Sequence, residues 1–214
     1  MNRRLFIAGA GAGIMTMMLG GCNFMSKNEA QQKSVAQAAT DSSTSTGNKN
    51  EQLVGTDKKI LIAYFSHTGN TKAFAESIQR QVGGNFFAIE PQDAYPQNYD
   101  KVVQQAKGEV ASKFRPKITN KIADIRAYDV IFIGTPIWWY TVAPPVRTFL
   151  AEYDLAGKTI VPFSTHKGSG LSGIDKAIQE LQPQAKVLDG FAVWDNQAKD
   201  KQGEIANWLQ RLKA

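Results

Sequence analysis

Hydrophobic residues from position 58 onward follow two alternating patterns. Short uninterrupted apolar runs are typical of strands that are buried on both faces of a sheet. Each run is followed by a segment with apolar residues three or four positions apart, as in an amphipathic helix. The predicted strands are residues 58–65, 85–90, 129–134, 158–164 and 186–193. Pro162 interrupts the fourth, because proline has no N–H for a sheet hydrogen bond.

Five helices are predicted between and after these strands. Phe74, Ile78 and Val82 mark the first, which should end at Gly83 and Gly84. The others are marked by Val102, Val103, Ala106, Val110 and Phe114; by Val146, Phe149 and Leu150 after Pro144 and Pro145; by Ile174, Ala177, Ile178 and Leu181; and by Ile205, Trp208, Leu209 and Leu212. Strict strand–helix alternation predicts an α/β fold, a doubly wound five-stranded parallel sheet with ligands at the carboxyl ends of its strands.

The first 57 residues differ from this pattern. Arg3 and Arg4 precede a 17-residue uncharged stretch that contains five glycines and runs to Gly21. A membrane-spanning helix needs about 20 apolar residues, so residues 1–22 are predicted to be an export signal instead. Residues 23–57 are rich in Ser, Thr, Asn and Gln and are predicted to be a flexible polar tether. The folded domain should then span residues 58–214.

The sequence Leu19-Gly20-Gly21-Cys22 resembles a bacterial lipobox, in which the cysteine is lipidated after cleavage. A stray cysteine in an apolar stretch is the alternative. Residues 2–7 resemble a twin-arginine export motif, with general secretion as the alternative route. These resemblances imply an exported protein, lipid-anchored through Cys22 to a bacterial membrane and facing the periplasm or the cell exterior.

Composition excludes several other classes of protein. The net charge is +6, from 25 basic and 19 acidic residues, and the basic residues are scattered, so nucleic acid is not an expected partner. One cysteine and two histidines exclude a disulfide scaffold, an iron–sulfur cluster and a multi-histidine metal site. We assign no metal ligand and no catalytic acid, base or nucleophile.

A hydroxyl-rich loop follows the first predicted strand directly and precedes the first helix. Backbone N–H groups and the positive end of the helix dipole would face an anion there. The loop lacks the lysine that a P-loop requires and the G-x-G-x-x-G sequence that a dinucleotide-binding fold requires. A hydroxyl-rich loop without lysine suits a phosphate monoester. A capped turn is the alternative interpretation. The loop residues are Ser66, His67, Thr68, Gly69, Asn70 and Thr71.

This S-H-T-G-N-T sequence resembles the T/S-x-T-G-x-T phosphate loop of flavodoxins, which bind flavin mononucleotide (FMN). Residues 135–139 and 165–170 resemble the other loops of short-chain bacterial flavodoxin-like proteins with a P-I-W-W motif. The resemblance covers residues 58–214. It implies the flavodoxin-like strand order 2-1-3-4-5, with FMN as cofactor at the switch point.

The resemblance also implies two ring-flanking segments. The first comprises Thr135, Pro136, Ile137, Trp138, Trp139 and Tyr140, and the second comprises Ser164, Thr165, His166, Gly168, Ser169 and Gly170. Which tryptophan stacks on the flavin stays open. His166 could be a turn residue, a ring contact or a substrate contact, and Lys167 could be a solvated lysine or a cation near the ring. Tyr140 stands where glycine often follows the P-I-W-W motif.

The resulting expectation is an FMN-binding flavodoxin-like lipoprotein that transfers electrons outside the cytoplasm. Its partner would be an unidentified redox protein or a small-molecule acceptor, with membrane contact through the lipid anchor. Familiar flavodoxins are strongly acidic, whereas residues 58–214 carry 20 basic and 15 acidic residues, a net charge of +5. Two alternatives are an FMN-dependent reductase of quinones or similar small molecules, and an apo binding module that retains the fold.

Overall fold

The computed structural model describes residues 57–213. The predicted signal peptide, Cys22 and the tether up to residue 56 lie outside this range. The elements in chain order are β1 (Ile60–Tyr64), α1 (Asn70–Val82), β2 (Asn85–Ala88), α2 (Tyr99–Ala111), β3 (Val130–Trp138), β4 (Thr141–Val142), α3 (Pro144–Glu152), β5 (Thr159–His166), α4 (Ile174–Leu181), β6 (Lys186–Val187), β7 (Phe191–Trp194) and α5 (Gln202–Lys213).

The main sheet has the order β2-β1-β3-β5-β6, and all of these neighbours are parallel. Strand β7 also pairs with β5 in parallel, and β4 pairs with β3 antiparallel. The prediction of a doubly wound α/β fold is confirmed. The sheet has seven strands instead of the expected five, because the fifth position is divided into β6 and β7 and because β4 is added. With β6 and β7 counted together, the parallel positions follow the expected 2-1-3-4-5.

The division of the fifth strand corrects the prediction of one strand over residues 186–193. Ile160 pairs with Val187, whereas Phe163 pairs with Phe191, so the outer chain uses one more residue than β5 over this stretch. Pro162 lies in β5 opposite the interruption. Because Pro162 has no N–H, the outer chain finds no donor there, which accounts physically for a break at this point.

Strand β3 is longer than the predicted 129–134. It continues through Trp138 and turns back into β4, with Ile137 opposite Val142 and Trp138 opposite Thr141. The two-residue turn consists of Trp139 and Tyr140, with φ of 48° and 62°. Positive φ at both positions is typical of the tight hairpin turns that match strand twist. Part of the predicted ring-flanking loop is therefore a rigid β-hairpin.

Each face of the sheet has its own apolar core. Helices α1 and α5 cover one face, where Phe74, Phe132, Phe163 and Trp208 are buried. Helices α2, α3 and α4 cover the other face around residues such as Phe149. Phe114, which we expected on the second helix, lies beyond the end of α2 and is 50% exposed. None of the helices within residues 57–213 is long and apolar enough to span a membrane.

Candidate functional site

A cavity of about 390 Å³ lies at the carboxyl ends of β1, β3 and β5. Such volumes are typical of small-molecule sites. All three predicted segments contribute to its wall, through His67, Thr68, Thr71, Pro136, Ile137, Trp138, Trp139, Tyr140, Thr165, His166 and Ser169. The rest of the wall comes from Tyr99, Val102, Val103, Ala106, Lys167 and Asp195.

The loop between β1 and α1 presents unpaired backbone donors. Gly69 is the N-cap of α1 with φ of 91°, a left-handed conformation that favours glycine. Within residues 57–213, the N–H groups of residues 68–71 donate no hydrogen bond, while Ala73 N donates to Gly69 O. Unpaired N–H groups at a helix start attract an anion. The Thr71 and Thr165 hydroxyls lie 2.9 Å apart in the cavity wall.

Asn70 connects this loop to Asp195, which directly follows β7. Its Nδ2 donates to Asp195 Oδ1 at 2.7 Å and to Thr68 Oγ1 at 3.1 Å. A carboxylate only accepts hydrogen bonds, so the amide nitrogen must face Asp195. The Thr68 oxygen accepts from Asn70, which leaves the Thr68 O–H free to donate.

The three consecutive aromatic residues at the β3–β4 hairpin have different surroundings. Trp138 lies edge-on to Phe65, with ring centroids 5.5 Å apart, and also contacts His67 and Tyr95. Trp139 Nε1 donates to Val103 O at 3.0 Å. Tyr140 is 73% exposed at the hairpin tip. Trp138 is therefore held in an aromatic cluster, whereas the Tyr140 side chain is exposed to solvent.

Two ammonium groups lie over aromatic rings near the cavity. Lys107 Nζ is 5.3 Å from the ring centroid of Trp139. Lys167 Nζ is 4.9 Å from the ring centroid of Tyr99 and 3.5 Å from Asp195 Oδ2. Among the cavity-lining residues in the described range, Lys167 is the one Lys or Arg and Asp195 the one Asp or Glu. The charge of Lys167 is thus offset by a neighbouring carboxylate.

His166 ends β5 and lies at the cavity. Its Nδ1 accepts a hydrogen bond from Gly168 N at 2.9 Å, and its ring meets Trp194 with centroids 5.6 Å apart. Burial lowers the pKa of His166, and the nearby Asp195 carboxylate partly opposes this effect. The neutral ring with Nδ1 as acceptor carries its proton on Nε2. This arrangement provides a neutral hydrogen-bond donor beside the cavity.

Several predicted site residues do not line this cavity: Ser66, Gly69, Asn70, Thr135, Ser164, Gly168 and Gly170. Ser66 Oγ accepts from Lys72 N at 3.2 Å and so caps the first turn of α1. Thr135 Oγ1 accepts from Ala143 N at 2.9 Å and donates to Pro136 O at 2.8 Å, so it fastens the hairpin. Ser164 Oγ is fully buried with no hydrogen-bond partner among the described residues. Ser66 and Thr135 therefore support the site from outside the cavity, whereas the Ser164 side chain lies in the interior.

Five cavity residues were missed from the sequence: Tyr99 at the start of α2, three apolar residues of the same helix, and Asp195. Val102, Val103 and Ala106 form the apolar face of α2, which the sequence indicates only as a core-facing pattern. Asp195 follows the last strand in no recognisable motif. Its proximity to Asn70 depends on sheet topology, because 125 residues separate the two in the chain.

Comparisons with known proteins agree with this architecture. The structure of a flavoprotein from Bacteroides eggerthii is 32% identical and matches 74% of this chain and 99% of its own, with a TM-score of 0.66. A flavoprotein from Lactobacillus acidophilus, crystallised in complex with FMN, is 26% identical over 68% of this chain and 99% of its own, with a TM-score of 0.57. No match was found among curated proteins. The family model for flavodoxin matches residues 59–212. The chain therefore belongs to the flavodoxin family.

Proposed function

We propose that this protein binds FMN in the cavity at the carboxyl ends of β1, β3 and β5. The phosphate would accept hydrogen bonds from the unpaired N–H groups of residues 68–71 and from the Thr68 hydroxyl. The flat ring would lie between the β3–β4 hairpin and residues 165–169. The observation that carries the proposal is the combination of free donors with an aromatic-walled cavity of about 390 Å³. The FMN complex of the Lactobacillus relative supports it.

The proposed role is electron transfer outside the cytoplasm, by a protein anchored to a membrane through lipidated Cys22. Bound FMN would supply the redox chemistry, and the chain's own residues would bind and orient it. The phosphate loop would hold one end, and the fastened Trp138 would limit where the ring can lie. The lipobox-like and twin-arginine-like sequences at residues 2–22 support the proposed export.

A second candidate is an FMN-dependent reductase of quinones or similar small molecules. The specific observation is His166, whose Nδ1 is occupied by Gly168 N while Nε2 carries the proton. A neutral donor beside the ring could hydrogen-bond a substrate carbonyl oxygen. Steady-state turnover with NAD(P)H and a quinone separates the two candidates, because an electron carrier alone gives no such turnover.

The test of FMN binding is calorimetric titration of the purified domain with FMN and with riboflavin, together with its absorption spectrum. We expect a yellow protein, or an apo form that binds FMN. Riboflavin should bind at least tenfold more weakly, because it lacks the phosphate that would use the charge-assisted hydrogen bonds. A colourless domain that binds neither flavin would contradict the proposal and favour the apo binding module.

A further inference from the structure

Asp195 makes contacts that join both ends of the cavity. Its Oδ1 accepts from Asn70 Nδ2 at 2.7 Å, its Oδ2 lies 3.5 Å from Lys167 Nζ, and its N–H donates to His166 O at 2.7 Å. Its side chain is 30% exposed. One residue therefore contacts the first turn of α1, the end of β5 and the loop that follows.

The position of a carboxylate here is unexpected on electrostatic grounds alone. The neighbouring loop presents N–H groups suited to an anion, and a second negative charge would repel that anion. Lys167 offsets the charge, but a neutral residue at position 195 would avoid the repulsion altogether. A favourable role must therefore come from what the carboxylate holds in place.

The hydrogen bonds show how this role would operate. Asp195 orients the Asn70 amide, whose nitrogen also donates to Thr68 Oγ1 at 3.1 Å. Because the Thr68 oxygen already accepts from Asn70, its hydrogen is available to donate toward the cavity that Thr68 lines. At the other end, Asp195 restrains Lys167, whose ammonium lies over Tyr99 on the opposite wall.

We propose that Asp195 is a positioning residue that orients Thr68 through Asn70 for phosphate binding and couples the phosphate loop to the loop after β5. This inference rests on the proposed FMN binding. It goes beyond that proposal by assigning a role to a carboxylate outside the three loop motifs. Asp195 would act on the phosphate without touching it.

Two substitutions separate the hydrogen bond of Asp195 from its charge. Asp195→Asn keeps an oxygen that can accept from Asn70, but it loses the charge that holds Lys167. Asp195→Ala loses both. Asp200→Asn is the matched control, because Asp200 is exposed, does not line the cavity and undergoes the same charge change. Circular dichroism and thermal melting verify that each variant folds.

The decisive quantity is the ratio of the riboflavin Kd to the FMN Kd, which isolates the phosphate contribution. We expect Asp195→Ala to lower this ratio about tenfold, since a hydrogen bond to a charged group is lost or misdirected. Asp195→Asn should leave the ratio unchanged or raise it, because the acceptor remains and a repulsive charge is gone. A purely electrostatic role would make both variants bind FMN more tightly. That result, or an unchanged ratio in Asp195→Ala, would overturn the proposal.

Hydrogen exchange of the apo protein gives a readout without flavin. The amides of Lys72 and Ala73 donate hydrogen bonds to Ser66 Oγ and Gly69 O of the phosphate loop. These two amides should exchange several-fold faster in Asp195→Ala than in Asp195→Asn or Asp200→Asn, because the loop has lost its restraint. Equal exchange in all three variants would overturn the coupling. If the unaltered chain binds neither flavin, the function proposed above fails, and exchange still decides whether Asp195 fastens the loop.

Discussion

The rings of Tyr95 and Trp138 meet edge to face, with centroids 4.8 Å apart and planes at 80°. Tyr95 is itself held by its O–H, which donates to Glu109 Oε2 at 2.6 Å on α2. Burial, reinforced by this hydrogen bond, raises the pKa of Tyr95 far above its ordinary value, so it stays protonated and remains a donor. This contact links the β3–β4 hairpin to α2 and gives the cavity wall a fixed part.

Trp138→Ala should therefore destabilise the domain by about 2–3 kcal/mol, as expected for removing a large, partly buried aromatic residue. Trp139→Ala is the matched control. Trp139 is exposed, and it would lose one indole hydrogen bond to Val103 O and the contact with Lys107, so its replacement should cost about 1 kcal/mol or less. Urea denaturation measures both. Equal costs would show that the Tyr95–Trp138 contact does not stabilise the hairpin.

Tyr140→Gly should make the domain more stable. Tyr140 has φ of 62°, where a residue with a Cβ is strained by about 1–2 kcal/mol, while glycine adds about 0.5–1 kcal/mol of chain entropy to the unfolded state. The expected net gain is about 0.5–1 kcal/mol. Tyr140→Ala, which keeps the Cβ, should give no gain. The same stability for the two variants would mean that the turn stores no strain.

His166 should make stability depend on pH. Burial lowers its folded pKa below the ordinary value of 6.5, so the unfolded chain binds more protons between the two values. The contribution of neutral His166 to the free energy of unfolding is complete above about pH 6.5, and it is lost as the pH falls through the lowered pKa of the folded state. His166→Gln, which keeps an acceptor for Gly168 N, should remove this part of the acid destabilisation. Proton NMR titration checks the premise, and a His166 pKa at or above 6.5 would refute it.

Lys167→Glu should make the reduction potential of the bound flavin more negative. A nearby cation favours negative charge on a reduced flavin, but the Asp195 carboxylate and 61% side-chain exposure weaken its effect. An exposed pair contributes about 0.2–1 kcal/mol, which corresponds to roughly 10–40 mV for one electron. Lys176→Glu, an exposed α4 residue outside the cavity wall, controls for net charge. The two potentials are compared in a redox titration at low salt. Identical shifts would show that Lys167 is an ordinary solvated lysine.

Cys22→Ser should leave an unprocessed precursor, because lipoprotein signal cleavage requires the cysteine. To test this prediction, the full-length chain and the variant are expressed in a bacterium that processes lipoproteins, and their sizes are compared. Normal processing of the variant would show that Cys22 is a stray cysteine.

Replacing Arg3 and Arg4 by lysine should block export by the twin-arginine route, whereas unaffected export would indicate general secretion.

Local pattern was sufficient for most secondary structure. Buried strands and amphipathic helices are specified by neighbours in the chain, so α1 ends at Val82 before two glycines as predicted. The order of the parallel strands also followed, through the family resemblance. The hairpin turn could not be predicted, because nothing in the sequence Trp139-Tyr140 indicates positive φ. The pairing of Trp138 with Thr141 imposes that conformation.

The same division applies to the candidate site. The hydroxyl-rich loop was recognisable because its residues are adjacent in sequence and its location after a strand follows from α/β topology. By itself the sequence determined the fold class and the three loops that line the cavity. Only the tertiary structure decided which side chains reach the cavity: it brought Asp195 to Asn70 across 125 residues and sent Ser164 into the interior. These placements depend on strand register and helix packing, which no short sequence pattern encodes.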